Sequence, residues 1–279
     1  MKCDLHLHTT ASDGRLKPTE IIRLANEKQV QIAAITDHDT VAGIEEALTE
    51  ADRIHAIKVI PGVEINTDLP TGELHVLGYF IDFTNRELIS SLEKIQESRV
   101  GRARKMVEKL AQLGVPISWQ RILELAHGES ICRPHIAQAL LEKGYITMES
   151  EAFDKYIGRN GPAYIEREKI RPEEAVKIIQ KAGGVPVLAH PADILGVEQL
   201  IIQLKLAGLK GLEAYYSRYD SATINRLVSL ARKYDLLTTG GTDYHHFQDS
   251  REAMLGSIDL PVESVINLYT AAGKTAPVD

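Results

Sequence analysis

The residues that could do chemistry in this chain are its histidines. Ten occur among 279 residues, and six of them stand where strand-like runs end or pair with acids: His6 and His8, His38, His75, His190 and His245. Asp13, Glu64 and Asp243 accompany them. Side chains alternate along a strand, so His6-x-His8 points two imidazoles to one side, where they can grip one cation. Imidazoles with carboxylates suit Mn, Fe or Zn, and the lack of thiolates argues against a structural zinc knot. A carboxylate such as Glu64 can bridge two ions through its two oxygens, as a hydrolytic two-metal site requires. A single histidine at a strand end is ordinarily a hydrogen-bonded structural residue. Six with three carboxylates at matching positions make a metal cluster the better account. Asp4, Asp37 and Asp39 read as supporting partners or turn formers, and His55 and His127 as surface residues of helices. His246 should point away from its neighbour His245.

These groups need a scaffold that gathers strand ends. Residues 2–7 read as a strand, a helix starts at Pro18, Gln31 to Thr36 is a second strand, and Ile44, Ala47, Leu48 and Ile54 mark a second helix. Val59 to Ile65 and Leu74 to Ile81 read as two more strands. From Arg86 to about Gly161 only helices are expected: Gly114 fits a C-cap, Ser118 an N-cap, and Arg133-Pro134 opens a helix that ends at Gly144. Alternation returns at Arg171-Pro172, with strands at 185–189, 210–215 and 236–240 and helices at 197–207 and 220–234. The pattern predicts an α/β fold, a distorted seven-stranded (β/α) barrel, with residues 1–85 and 165–279 forming the barrel and 86–164 an inserted helical subdomain. In a parallel barrel the strand ends share one rim.

Composition narrows the setting. The hydrophobic fraction of 44% and charged fraction of 25% are ordinary for a globular protein. No run approaches the ~20 apolar residues of a membrane span, and Met1 leads directly into a strand with no apolar signal region. Cys3 and Cys132 are too few for a disulfide framework, which points to a reducing, cytoplasmic setting. The net charge of −7 argues against a grip on long nucleic acid and leaves small phosphorylated ligands open.

Asp4-Leu-His6-Leu-His8, Asp13, Thr36-Asp37-His38-Asp39, Gly62-Val-Glu64 and Gly241-Thr-Asp243-Tyr-His245 together resemble the motifs of the PHP (polymerase and histidinol phosphatase) superfamily. The resemblance runs from residue 3 to about residue 256. It implies two to three divalent metal ions: His6, His8, Glu64 and Asp243 around the first, Glu64, His75 and His190 around the second, and Asp13, His38 and His245 around the third. His135 competes with His190 for the second site. Arg133-Pro134-His135 and the helical insertion resemble the branch of stand-alone phosphoesterases that remove the 3'-phosphate of nucleoside 3',5'-bisphosphates, some of which trim short 5'-phosphorylated RNA. That resemblance gives Arg133 a substrate phosphate to hold and places His135 beside it. The implied reaction is attack of a metal-bridged hydroxide on phosphorus, with His190, His135 or a metal-bound water protonating the leaving alcohol.

Arg99, Arg102, Arg104 and Arg159 are available for a second phosphate, and Tyr215, Tyr216 and Tyr219 for a base, although helices expose arginines routinely and tyrosines fill barrel rims. Three rivals remain at this level. One is a histidinol-phosphate or other phosphomonoester phosphatase. Another is an amidohydrolase-type barrel, which opens with His-x-His but usually bridges its metals with a lysine. The last is a PHP module without activity, which the intact set of nine ligands disfavours.

Overall fold

A computed structural model describes residues 1–69, 72–126, 131–166, 170–246 and 253–277. His127 lies outside them. Seven strands form one sheet in chain order: β1 (Cys3–Leu7), β2 (Ile32–Ile35), β3 (Lys58–Leu69), β4 (Gly72–Tyr79), β5 (Val185–Leu188), β6 (Gly211–Tyr216) and β7 (Leu237–Gly241). β1–β2–β3 and β5–β6–β7 pair in parallel, but β4 is antiparallel to both its neighbours. The expectation of an all-parallel barrel is corrected here. Only residues 70 and 71 separate β3 from β4, and a parallel crossover needs a dozen or more residues, whereas a two-residue link permits a hairpin. The reversal carries His75, near the start of β4, to the rim that the other strands reach with their C-terminal ends.

The barrel nearly closes between its first and last strands. Leu7 bridges Tyr244, the His8 N–H donates to the Tyr244 carbonyl at 3.0 Å, and the Tyr244 N–H donates to the His6 carbonyl at 3.3 Å. Helices α1 (Pro18–Glu27), α2 (Ile44–Ile54), α7 (Pro172–Lys181), α8 (Val197–Ala207) and α9 (Ser221–Lys233) connect strands. They bury Ile21, Ile22, Ala47, Val176, Ile179, Ile201 and Leu204 against the sheet. His55 is the exposed left-handed C-cap of α2, the surface residue expected. α10 (Val262–Ala271), for which the sequence analysis had no counterpart, packs Val265 and Leu268 with Cys3 and Leu5.

The helical block begins with α3 (Arg86–Gln112), whose first turn is capped by the Asn85 side chain accepting from the Leu88 N–H. Leu88, Leu92 and Ile95 belong to the barrel's core, whereas Ala103, Met106 and Leu110, further along the same helix, join a separate core. That second core also takes Ile122 from α4 (Trp119–Leu125), Ile136 and Leu140 from α5 (Arg133–Glu142), and Ile157 from the π-helical turn Phe153–Ile157 that follows α6 (Ser150–Ala152). Ser118 caps α4, accepting from the Arg121 N–H. The block is therefore held over the rim by one long helix that both cores share. Among the described residues no helix is long and apolar enough to cross a membrane.

Candidate metal centre and substrate clefts

His6 on β1 and His8 just past its end are fully buried. His6 Nε2 lies 3.2 Å from Glu64 Oε2 and 3.4 Å from Asp243 Oδ1; His8 Nε2 lies 3.3 Å and 3.0 Å from the same oxygens. Despite this crowding, His6 Nε2, both ring nitrogens of His8 and Glu64 Oε2 have no hydrogen bond of acceptable geometry. Buried polar atoms are almost always satisfied. Three of these orphans, His6 Nε2, His8 Nε2 and Glu64 Oε2, converge on one point while His8 Nδ1 faces Asp13, and such nitrogen and oxygen ligands fit divalent cations.

Glu64, on β3, is the hub. Its Oε2 faces His6, His8 and, at 2.9 Å, His38 Nδ1, while its Oε1 faces His75 Nδ1 at 2.9 Å and His190 Nε2 at 3.2 Å. A further group gathers at Asp13: His245 Nε2 is 3.3 Å from Oδ1, His38 Nε2 3.8 Å from Oδ2 and His8 Nδ1 3.8 Å from Oδ1. Three compact ligand sets result among the described residues: His6, His8, Glu64 and Asp243; His38, Glu64 and His75; and His8, Asp13, His38 and His245. All nine candidates meet on one rim, with His190 reaching Glu64 from just outside these sets. His8 and His38 each stand between two sets, an overlap that strand spacing could not show. His135 joins none of them; its Nδ1 accepts from the Cys132 N–H at 3.1 Å, and its ring borders a separate cleft with Asp13 and Arg15.

Supporting residues orient the cluster. Glu213, on β6 and fully buried, accepts from His6 Nδ1 at 2.8 Å and from the His190 N–H at 2.8 Å, which leaves His6 Nε2 as a lone pair facing Glu64. His245 Nδ1 donates to the Asp243 carbonyl at 2.9 Å, turning its Nε2 toward Asp13. Asp37 accepts from the Thr9 and Ser12 hydroxyls, and Asp4 from the Thr242 hydroxyl and the Gly256 N–H. Asp39 accepts from the Asn66 N–H and pairs with Arg99. The three aspartates thus hold loops rather than joining the sets. Glu213 was missed by the sequence reading, although a lone carboxylate amid Leu212, Ala214 and Tyr216 was a usable signal. His246 accepts from or donates to the Tyr244 hydroxyl at 2.6 Å, away from the cluster.

Burial alone would push the carboxyls of Asp13, Glu64 and Asp243 up, but the surrounding imidazoles hold them well below the usual range. Burial would likewise lower His8, yet Asp243 and Glu64 push it up to about 10. His6 and His190 are raised against burial, chiefly by Glu213 and Glu64 respectively, whereas burial keeps His75 low. Without cations, protons take their place in this cluster. The stability gained from the raised histidines is complete below their ordinary value near 6.5 and is lost as pH climbs through the folded value, for His8 about 10. Stability from the depressed carboxylates is lost at the acid end, and His75, lowered by burial, loses stability in the same direction as pH falls below about 6.5. The chelated protein should therefore melt at progressively lower temperature from mildly acidic to alkaline pH. With divalent cation added the trend should reverse, because binding needs deprotonated imidazoles. A chelated protein that gained stability over that interval would contradict this picture.

Two unlike clefts open beside the cluster. The first, of about 160 Å³, lies beneath the helical block and is lined by His38, His75, Arg99, Arg102, Arg133 and Glu73. Arg104 instead lies over the Trp119 ring, and Arg159 is exposed and outside the cleft lining. The second, of about 560 Å³, is lined by His75, His190, Tyr216, Arg218, Tyr219 and Asp243. The Tyr216 hydroxyl donates to Asp243 Oδ2 at 2.8 Å, whereas Tyr215 turns to the apolar side of the sheet.

Comparison with known proteins agrees with this geometry. Residues 4–183 match the PHP domain family. The chain is 34% identical over 272 residues to a 5'-3' exoribonuclease of Haemophilus influenzae, covering 96% of this chain and 98% of that one. It is 32% identical over 263 residues to a 3',5'-nucleoside bisphosphate phosphatase of Chromobacterium violaceum, covering 92% of each. The crystal structure of a candidate metal-dependent phosphoesterase from Bifidobacterium adolescentis superposes with a TM-score of 0.89 at 30% identity, covering 96% of both chains. The chain belongs to the PHP domain family. It is a metal-dependent phosphoester hydrolase.

Proposed function

We propose that this chain removes phosphate from small nucleotides, with the 3'-phosphate of a nucleoside 3',5'-bisphosphate as preferred substrate and short 5'-phosphorylated oligonucleotides taken by the same clefts. The observation that carries this reading is the pairing of an arginine cleft with a tyrosine cleft across one ligand cluster. A monoester such as histidinol phosphate needs the cluster and one clamp; a second anion site and an aromatic wall match a phosphorylated nucleoside. The two curated relatives act on RNA and on nucleoside bisphosphates by their names, which supports the same reading.

In this reading the cluster holds two to three Mn, Fe or Zn ions. His6, His8, Glu64 and Asp243 hold the first, Glu64, His75 and His190 the second, and Asp13, His38 and His245 the third. His190 is preferred to His135 because it reaches Glu64. Bound divalent cations supply the Lewis acidity that ionises water near neutral pH and screens phosphoryl charge. Glu213 fixes the His6 ring, Tyr216 orients Asp243, and Arg133 holds a phosphate of the substrate. Cys3 and Cys132 are buried and in no disulfide, which supports a cytoplasmic setting.

Purified with Mn, the enzyme should turn over adenosine 3',5'-bisphosphate with kcat/KM at least about tenfold above histidinol phosphate, the difference one extra charge-assisted contact makes. Phosphate release from both substrates measures it. Equal values would overturn the nucleotide reading and leave the hydrolase.

A further inference from the structure

Glu73 stands in the arginine cleft, and nothing above gives it work. It lies on β4 two residues before His75, so both side chains leave the same face of the strand ~6.8 Å apart. Its carboxylate is engaged at both oxygens: Oε2 pairs with Arg133 Nη2, and Oε1 lies 3.6 Å from Arg102 Nη1. The arginine side chains are 23% and 10% exposed and the glutamate 27%, so the trio is largely withdrawn from water. The other arginine of the cleft, Arg99, is already matched by Asp39. An oxyanion shared by two guanidinium groups is the arrangement a phosphate adopts on arginines.

We propose that Glu73 is a resident substitute for the substrate's second, non-reacting phosphate. It neutralises Arg133 and Arg102 while the cleft is empty, and an incoming phosphate must displace it. The inference rests on the two-phosphate reading above and sharpens it, because it says where the second phosphate goes. It also assigns Glu73 a part in specificity. Anions that gain less from two arginines than Glu73 does are kept out. A terminal phosphate, which carries nearly two charges at neutral pH, can take its place.

The test uses sulfate as the probe and binding as the readout, on chelated protein, by titration calorimetry. Glu73→Gln keeps the shape and removes the charge, so sulfate should bind about tenfold more tightly than to the parent. The gain should vanish in Glu73→Gln combined with Arg133→Ala, a comparison that also accounts for sulfate held by the histidine cluster. With the bisphosphate and Mn-loaded enzyme, Glu73→Gln should lower KM several-fold and change kcat less. Sulfate affinity that stays level or falls in Glu73→Gln, in a protein whose circular dichroism and melting match the parent, overturns the proposal. So does a gain that survives loss of Arg133. If sulfate behaves as expected while the parent prefers histidinol phosphate, the displaced-anion role stands and the nucleotide assignment fails.

Discussion

Glu64→Gln should strip two metals from the protein and lower kcat/KM by at least about 10³-fold, or ~4 kcal/mol of transition-state stabilisation. The expectation follows from the two faces of one carboxylate. Oε2 is turned to His6, His8 and His38, and Oε1 to His75 and His190, so neutralising Glu64 removes a ligand from two sets together. In the assignment proposed above His38 serves only the metal held with Asp13 and His245, so His38→Asn should release one metal; loss of two would show that it also serves the set with Glu64 and His75. Elemental analysis after dialysis, beside a melting curve to establish folding, reads both variants. Equal metal loss in the two would show that the sets are not separable. A parent that holds a single ion even with Mn supplied would remove the bridging role altogether.

Arg133→Ala should lower kcat/KM for a nucleoside 3',5'-bisphosphate by ~1.5–3 kcal/mol, roughly ten- to more than a hundredfold. Arg133 caps the arginine cleft from the first turn of α5 and rests over the Phe153 ring, so its guanidinium is aimed before any ligand arrives. If it holds the non-reacting phosphate, the loss for a small chromogenic monoester should be much smaller. An equal loss on both substrates would place Arg133 on the reacting phosphate. No loss on either would remove it from the site. Because the parent pairs Arg133 with Glu73, the Ala variant also leaves a carboxylate facing the cleft, and part of the measured loss will be its repulsion of substrate.

Most of the candidate centre was legible from spacing. His6-x-His8, Thr36-Asp-His38-Asp and Asp243-x-His245 sit at or just past strand ends and Glu64 within β3, and alternation says which side chains of one strand share a face. What spacing could not give was direction and depth. The antiparallel course of β4 hid in the short link between Leu69 and Gly72, which excludes a crossover once the strand limits are known. Glu213 and Asn66 hold ring nitrogens from strands whose sequence advertises only burial. The double reach of His8 and His38 depends on ring orientation, a tertiary property. Arg133-Pro134-His135 was legible as a helix start. That its arginine faces the cluster's cleft while its histidine turns toward Arg15 and Asp13 follows from helix rotation and the shared core beneath.

The seam between β1 and Tyr244 has a consequence for how the protein comes into being. Asp4 and Thr242 touch although they are 238 positions apart in the chain, and the same seam carries His6 and His8 on one edge and Asp243 and His245 on the other. Joining ends that far apart costs chain entropy that grows slowly with length but must be met before any contact there is rewarded. A polypeptide still emerging from the ribosome therefore holds half a chelate for most of its synthesis. The ligand sets that include Asp243 or His245 can be completed only once the last strand has docked, so a cation bound there would act as a late clasp, whereas His38, Glu64 and His75 all lie in the first third of the chain.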